Sequence, residues 1–591
     1  MNPEIPLPLL WSSWCHEPIQ FYLRRSANPA TILGSGHWIP EWYDRIHTRE
    51  ALKKAADLGV NFVYTHFYKG FGLQAEKKEM SRTADLVEIA ADLGIKCVGY
   101  STLPTVYYES LAAEFPDLSS HFRRFRNGDF QTYGTAHYRA LMCYNSKKYY
   151  EEYYPQLLEY GLKQTGLAGF HFDNAGESPC YCPECRLDFR RYLAENCGDP
   201  EQFGLPVWDY VELPAAEAEL EPLATEWMRW RRLVCTRRHT QIFKCVKALK
   251  SDAVILYNPG FGRFAPGGYE PLDAPREADM VFLETARAIN IDEAGRHITG
   301  TAGFRLADLC KIVPVNASWL KENGVMHPHR TQEEIALCCA EQMVFGRNCG
   351  AHWLVRPQKK GGSMICDDPE QYALVDNCFK FFLKHSEIYT KSRRLPQVKV
   401  YYAKESKLLF PEQFLEEIQN CSELLRQKKI TWSFAAENSP APAPGETLLL
   451  PGAKVLTDRE IETIRSWQVN VIPLSNAGVL DEHNWERETV PFPAGNIDTL
   501  DALFKMEFPH GVIECTLSEN NEVLLHLLNM ANRETVKNLE VRLPEEADSV
   551  EVLSFEKGVK AELTSPRALK ITDLKTFATF KLTGKISCFF Q

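Results

Sequence analysis

Between residues 50 and 390 the chain alternates short β-branched and aromatic runs with longer stretches whose apolar positions recur at helical spacing. That alternation is the signature of βα units around a parallel sheet. With one strand ahead of this stretch, the pattern predicts eight: PLLWSS near the start, NFVYTHF (61–67), KCVGYS (96–101), AGFHFD (168–173), AVILYN (253–258), DMVFLE (279–284), IVPVNA (312–317) and GAHWLV (350–355). Helical patterns such as TADLVEIAADLG (83–94) and EEYYPQLLEYGLKQTG (151–166) end on glycines suited to a left-handed C-cap. Eight such units predict a closed (β/α)8 barrel, with a doubly wound open sheet as the structural alternative.

After about residue 395 the pattern restarts with VKVYYAKES, a helix over 412–427, ITWSFAA, ETLLLPG, the helix TDREIETIRSWQ and VNVIPLS, a smaller α/β domain. The proline-rich NSPAPAPGE (438–446) reads as an exposed loop inside it. From about 500 the runs GVIECTL, EVLLHLLNM, NLEVRLP, SVEVLSF and FATFKLTG alternate as antiparallel strands do, and predict a β-sandwich. The expected domains are therefore a barrel over 1–392, an α/β domain over 393–490 and a sandwich over 500–591.

Composition narrows the partners. Of 591 residues, 45% are hydrophobic and 25% charged, and the net charge of −11 argues against a polyanionic partner such as nucleic acid. No apolar run reaches the roughly 20 residues of a membrane span. The start, MNPEIPLPLLWSSWC, lacks the basic segment of a cleavable leader. A cytoplasmic location is expected. The 18 cysteines are spread too thinly for a disulfide scaffold, which fits reduced thiols with a few recruited to metal.

Cys180, Cys182 and Cys185 form a CxCxxC cluster directly after the fourth strand. Structural zinc takes four tetrahedral ligands, and Cys143, ahead of the helix leading into that strand, is the expected fourth. Four sulfurs would close the shell, leaving the metal a staple rather than a Lewis acid. Cys338 and Cys339 lie in a helical pattern and read as small core residues.

Reacting groups of such barrels project from the carboxyl ends of the strands. Asp173 closes the fourth strand and shares a face with His171, while Phe170 and Phe172 point to the helices. Glu284 closes the sixth strand at what should be the same depth. Opposed carboxyls suit glycosidic cleavage, one attacking and the other protonating the leaving oxygen. The bland alternative pairs each with an arginine, Arg287 or Arg356, or with a helix cap. Glu177 rivals Glu284 as the acid. Other strand ends offer polar groups for sugar hydroxyls: His66, Tyr100, Asn174, Asn258, Asn316, His352 and Arg356, with Trp38, Trp42 and Trp353 as apolar platforms near the barrel mouth.

The segment MCYNSKKYYEEYYPQLLEYGLKQTGLAGFHFDNAGESPCYCPECRLDFRRYL resembles the zinc-bearing segment of glycoside hydrolase family 42, the β-galactosidases. The resemblance implies Cys143, Cys180, Cys182 and Cys185 as ligands of structural zinc. It also implies an amidotransferase-like second domain associated with trimerisation, here without a nucleophilic cysteine, and hence a homotrimer. That family carries its acid/base Glu in an Asp-Asn-Glu triplet, where this chain reads Asp173-Asn174-Ala175. An Asp ending strand four looks more like α-fucosidase-like and α-galactosidase-like barrels, which use it as nucleophile, several with an acid/base from strand six. Over most of its length the chain resembles the uncharacterised group called hypothetical glycosyl hydrolase 6. The expected function is a retaining glycosidase of small glycosides or oligosaccharides, with Asp173 as nucleophile and Glu284 as acid/base. Two alternatives stand beside it: a family 42-like β-galactosidase with Glu284 as nucleophile, and a non-catalytic sugar-binding or assembly protein on a degenerate barrel.

Overall fold

The computed structural model describes all residues except 1, 16, 24–39, 135, 177, 216–220, 261–268, 288–291, 293, 323–324, 328–330, 352–354, 357–362, 365–366, 532 and 591. For some positions within elements, Trp42, Glu284 and Arg356 among them, it describes the backbone alone. The chain divides into two compact units, residues 1–285, 312–328 and 352–368, and residues 286–311, 329–351 and 369–591.

All eight anticipated strands form: β1 (Leu10–Ser13), β2 (Phe62–Tyr68), β3 (Lys96–Thr102), β4 (Gly169–Asp173), β5 (Val254–Tyr257), β6 (Met280–Arg287), β7 (Val313–Glu322) and β8 (Cys349–Ala351). In the large sheet they follow the order β7, β6, β5, β4, β3, β2, β1, β8, a nearly closed parallel barrel rather than a doubly wound sheet. Its interior is filled by Trp11, Tyr64, Val98, Leu256, Met280, Phe282 and Val315, all buried. Inward residues of alternate strands stack in layers. Tyr64 of β2, His171 of β4 and Phe282 of β6 make one such layer, with ring centroids 4.7 Å, 5.0 Å and 5.8 Å apart. Phe170 and Phe172 point outward, the first to Phe67 and the second to Phe243 on the helix Pro222–Leu249. The helix Leu73–Asp92 starts ten residues before the anticipated pattern, and Gly94 and Gly166 adopt the expected positive φ, 74° and 68°.

Strand β2 departs from simple alternation. Its pairing with β3 shifts register between His66 and Tyr68, so one extra residue bulges and everything after it changes phase.

The second unit holds a four-stranded parallel sheet in the order Trp432–Ala435, Val398–Tyr401, Thr447–Leu450, Asn470–Pro473. Two antiparallel sheets, built from residues 505–583 with Arg393–Arg394 as one edge strand, share one core, Ile513, Leu525 and Phe580 facing Leu539, Val541 and Ile571. That is the anticipated sandwich. A buried ion network ties this unit internally: Arg305 Nη2 lies 2.9 Å from Glu514, and Arg394 lies 2.5 Å from Asp308 and 3.4 Å from Glu514.

The helix Asp458–Ser466 starts on a capping box, Thr457 with Glu460. Burial, reinforced by Glu405 and Glu437, pushes the Glu460 carboxyl up to about 7, against the hydrogen bonds from Thr457 N–H and the Tyr401 hydroxyl. A carboxyl raised in the folded state holds its proton there, so the stability it confers is full below its unfolded value and is lost as pH rises through 7. We expect thermal stability to decline between about pH 4.5 and 7, and Glu460→Gln to flatten that slope; calorimetry across the window reads it.

Candidate functional site

Asp173 ends β4 partly exposed, on the inward face one step beyond His171. Its Oδ2 accepts from the Tyr100 hydroxyl at 2.5 Å and from Asn174 Nδ2 at 2.9 Å; its Oδ1 accepts from Asn258 Nδ2 at 2.9 Å. Tyr100 comes from β3 and Asn258 from the residue after β5, so three consecutive strand ends converge on one carboxylate. Asn174 reaches back because its own backbone is left-handed, φ 55°, a conformation asparagine tolerates better than most residues. Burial alone would raise the Asp173 carboxyl. The His171 ring, the Lys69 ammonium, the Tyr100 hydroxyl and the Asn174 N–H outweigh it and hold the group below the ordinary carboxylate range. The result is an ionised carboxylate at neutral pH. With a single described donor on Oδ1, a lone pair remains there for attack.

No arginine pairs with Asp173 among the described side chains; the side chains of Arg287 and Arg356 lie outside them. Glu284 is placed by its backbone alone, two residues beyond Phe282 in β6, as Asp173 is two beyond His171 in β4. Since His171 and Phe282 share a layer, the two acidic positions are level along the barrel.

His66 is not among the groups around Asp173. Its Nε2 lies 3.3 Å from Glu76, a carboxylate that also accepts from the N–H groups of Lys69, Gly70 and Phe71. Lys69 reaches the Asp173 neighbourhood instead: its ammonium donates to the Tyr100 hydroxyl at 2.9 Å and to Glu17 at 2.8 Å. Sequence reasoning missed both Lys69 and Glu17. Alternation pointed to His66, and the usable signal was the charged residue straight after an unbroken aromatic strand, in FVYTHFYKG. Asn316 is buried on β7, and no described contact links it to Asp173. Glu177, His352, Trp353 and Trp38 lie outside the described residues, as do the side chains of Trp42 and Arg356.

The loop after β4 is held from both sides. Ala175 N–H donates to the Asn258 carbonyl at 3.0 Å, the Tyr144 hydroxyl donates to the Gly176 carbonyl at 3.0 Å, and the Arg123 guanidinium donates to Ser178 Oγ at 2.8 Å. Beyond it Cys143, Cys180, Cys182 and Cys185 bring their sulfurs within 4.8 Å of one another, all buried. The Asn145 N–H donates to Cys143 Sγ and its Nδ2 to Cys185 Sγ, each at 3.4 Å. Thiol–thiol contacts push Cys143 and Cys185 up and pull Cys180 down, a mutual conflict that a cation among four thiolates resolves. The donor set therefore fits a metal ion. The carboxylate ends the strand and three of the four cysteines lie in the segment that follows it. Cys339 is buried in the helix Gln332–Glu341 as a core residue, with Cys338 partly exposed beside it.

Barrel, strand-end carboxylate and cysteine-lined loop define a (β/α)8 protein with polar groups gathered at the carboxyl ends of its strands. No protein-family model and no curated relative matches the sequence. Solved structures do match. The β-galactosidase of Bacillus circulans sp. alkalophilus shares 10% identity at a TM-score of 0.71, over 98% of this chain and 100% of that one. The α-L-fucosidase isoenzyme 2 of Paenibacillus thiaminolyticus shares 13% at 0.63, over 98% and 99%. A family 42 exo-carrageenase of Bacteroides ovatus shares 12% at 0.61, over 97% and 82%. At such identities these likenesses carry the fold, and the fold runs the length of the chain. No helix among the described residues is long and apolar enough to cross a membrane.

Proposed function

We propose that the chain is a retaining glycosidase of small glycosides or oligosaccharides, with Asp173 as nucleophile and Glu284 as acid/base. The observation that carries this reading is the Asp173 carboxylate at the barrel mouth, which accepts from Tyr100, Asn174 and Asn258, is held below the ordinary carboxylate range with the help of His171 and Lys69, and keeps a lone pair on Oδ1. In the first step an Oδ1 lone pair forms the bond to the anomeric carbon as the glycosidic bond breaks and Glu284 gives its proton to the leaving oxygen. In the second, Glu284 takes a proton from water, whose oxygen displaces Asp173. Neighbours named as galactosidase, fucosidase and carrageenase support a carbohydrate substrate without choosing the sugar. The test is a screen of aryl glycosides, followed by nuclear magnetic resonance of the first-formed anomer. Retention supports the reading; an inverted product, or no turnover of any sugar, removes it.

The metal is proposed to be zinc, held by Cys143, Cys180, Cys182 and Cys185 and supplying cross-linking rather than chemistry. Metal analysis of protein purified without added zinc should return about one equivalent per chain. Cys182→Ser should lower that content and, by loosening the loop beside Asn174, reduce activity about 10-fold, in the range of outer-shell effects. A folded, metal-free and fully active protein would remove the staple. Homotrimer assembly through the α/β domain is carried over as a proposal from the resemblance alone.

A further inference from the structure

Three side chains behind Asp173 form a chain that the proposed chemistry does not use. Lys69 Nζ lies 2.7 Å from Glu17 Oε2 and 2.9 Å from the Tyr100 oxygen, and the Tyr100 hydroxyl lies 2.5 Å from Asp173 Oδ2. Lys69 and Tyr100 are each 2% exposed and Glu17 6%, so bulk water does not screen the contacts. The ammonium also sits over two rings, 4.4 Å from the centroid of Tyr100 and 4.9 Å from that of Phe21.

Donor and acceptor inventory fixes the direction of this chain. An ammonium only donates, so the Tyr100 oxygen accepts from Lys69. An ionised carboxylate only accepts, so the single Tyr100 proton points at Oδ2. We propose that Lys69, clamped by Glu17, is a positioning residue for the nucleophile: it polarises the Tyr100 hydroxyl and holds its proton on Asp173 Oδ2. This rests on the glycosidase reading for Asp173. When Oδ1 bonds to the sugar the carboxylate loses its charge, and when water displaces it the charge returns on a group already facing a polarised donor. A preorganised donor needs no rearrangement at that moment.

Burial pulls the Lys69 ammonium below its usual value and Arg139 adds to that, while Glu17 and Asp173 limit the fall. Among the described side chains, the charged or titratable groups around this chain are Glu17 after β1, Lys69 after β2, Glu76 of the helix Leu73–Asp92, Tyr100 of β3, His171 and Asp173 of β4, Arg139 of the strand Ala136–Leu141, and Tyr107. Glu284 of β6 is level with Asp173 by its backbone.

The test is a cycle. Lys69→Met with Glu17→Gln removes the pair without stranding a buried charge. Tyr100→Phe removes the link. Asp173 ionisation is read from the acid limb of the kcat/KM profile and independently by difference infrared titration of the carboxylate against Asp173→Asn. The pair variant should move the acid limb up by about one pH unit, the usual scale for one lost charge contact. In a Tyr100→Phe background the same change should add less than about 0.3 unit, because the route is gone. Lys69→Arg should stay near wild type. An unmoved limb, or an equal shift in both backgrounds, overturns the proposal. If Asp173→Asn retains turnover, the glycosidase reading fails instead, and the infrared titration still decides the relay.

Discussion

Asp173→Ala should reduce kcat/KM on every substrate by on the order of 10⁴-fold or more, about 5.5 kcal/mol of transition-state stabilisation, because no described neighbour can attack in its place. Tyr100, Asn174 and Asn258 would remain as donors with nothing to orient. Glu284→Gln should behave differently: on a dinitrophenyl glycoside, whose leaving group needs no proton, the first step is spared, whereas alkyl glycosides lose about 10²- to 10⁴-fold. Added azide separates the roles further. With Glu284→Ala, azide should attack the glycosyl-enzyme and give a glycosyl azide of retained configuration. With Asp173→Ala, any azide product forms directly and is inverted. Normal turnover in the Asp173 variant, or a retained azide product from it, would reassign the nucleophile.

Glu514→Gln should lower stability by about 3–5 kcal/mol, the usual cost of stranding one member of a buried ion pair. Glu514 is fully buried and faces Arg305, itself 3% exposed, with Arg394 on its other side. Removing the carboxylate leaves the Arg305 guanidinium between the Trp432 and Phe345 rings, donating to the Trp432 carbonyl, with only the more distant charge of Asp308 to offset it. Arg394 keeps Asp308 and suffers less. Calorimetry should show the melting temperature of this unit falling by on the order of 10 °C. A fall under about 2 °C would mean that the network is replaceable.

What the sequence disclosed follows from which interactions are local. The eight strands and the glycine caps at Gly94 and Gly166 were readable because periodicity and turn chemistry are written in neighbouring residues. Asp173, Tyr100 and Asn258, which hydrogen-bond together, were singled out by one rule, that polar groups at strand ends face the barrel mouth, and the cysteine cluster by its spacing. Lys69 and Glu17 escaped because a single bulge between His66 and Tyr68 inverts the phase of β2, and a bulge has no reliable local signal. The buried Arg305–Glu514 pair joins residues more than 200 positions apart, which no pattern along the chain could bring together.

Ala175 has a consequence for how such a site changes over generations. Its side chain is completely enclosed and its N–H is committed to Asn258, while the left-handed Asn174 before it turns the chain. A single codon change to glutamate there would drive a carboxylate into packed protein instead of offering an acid to substrate. Placing an acid directly after strand four of this barrel therefore needs backbone and side chain to change together, so the alanine is a fixed point of the loop and not a vacant seat for a catalytic group.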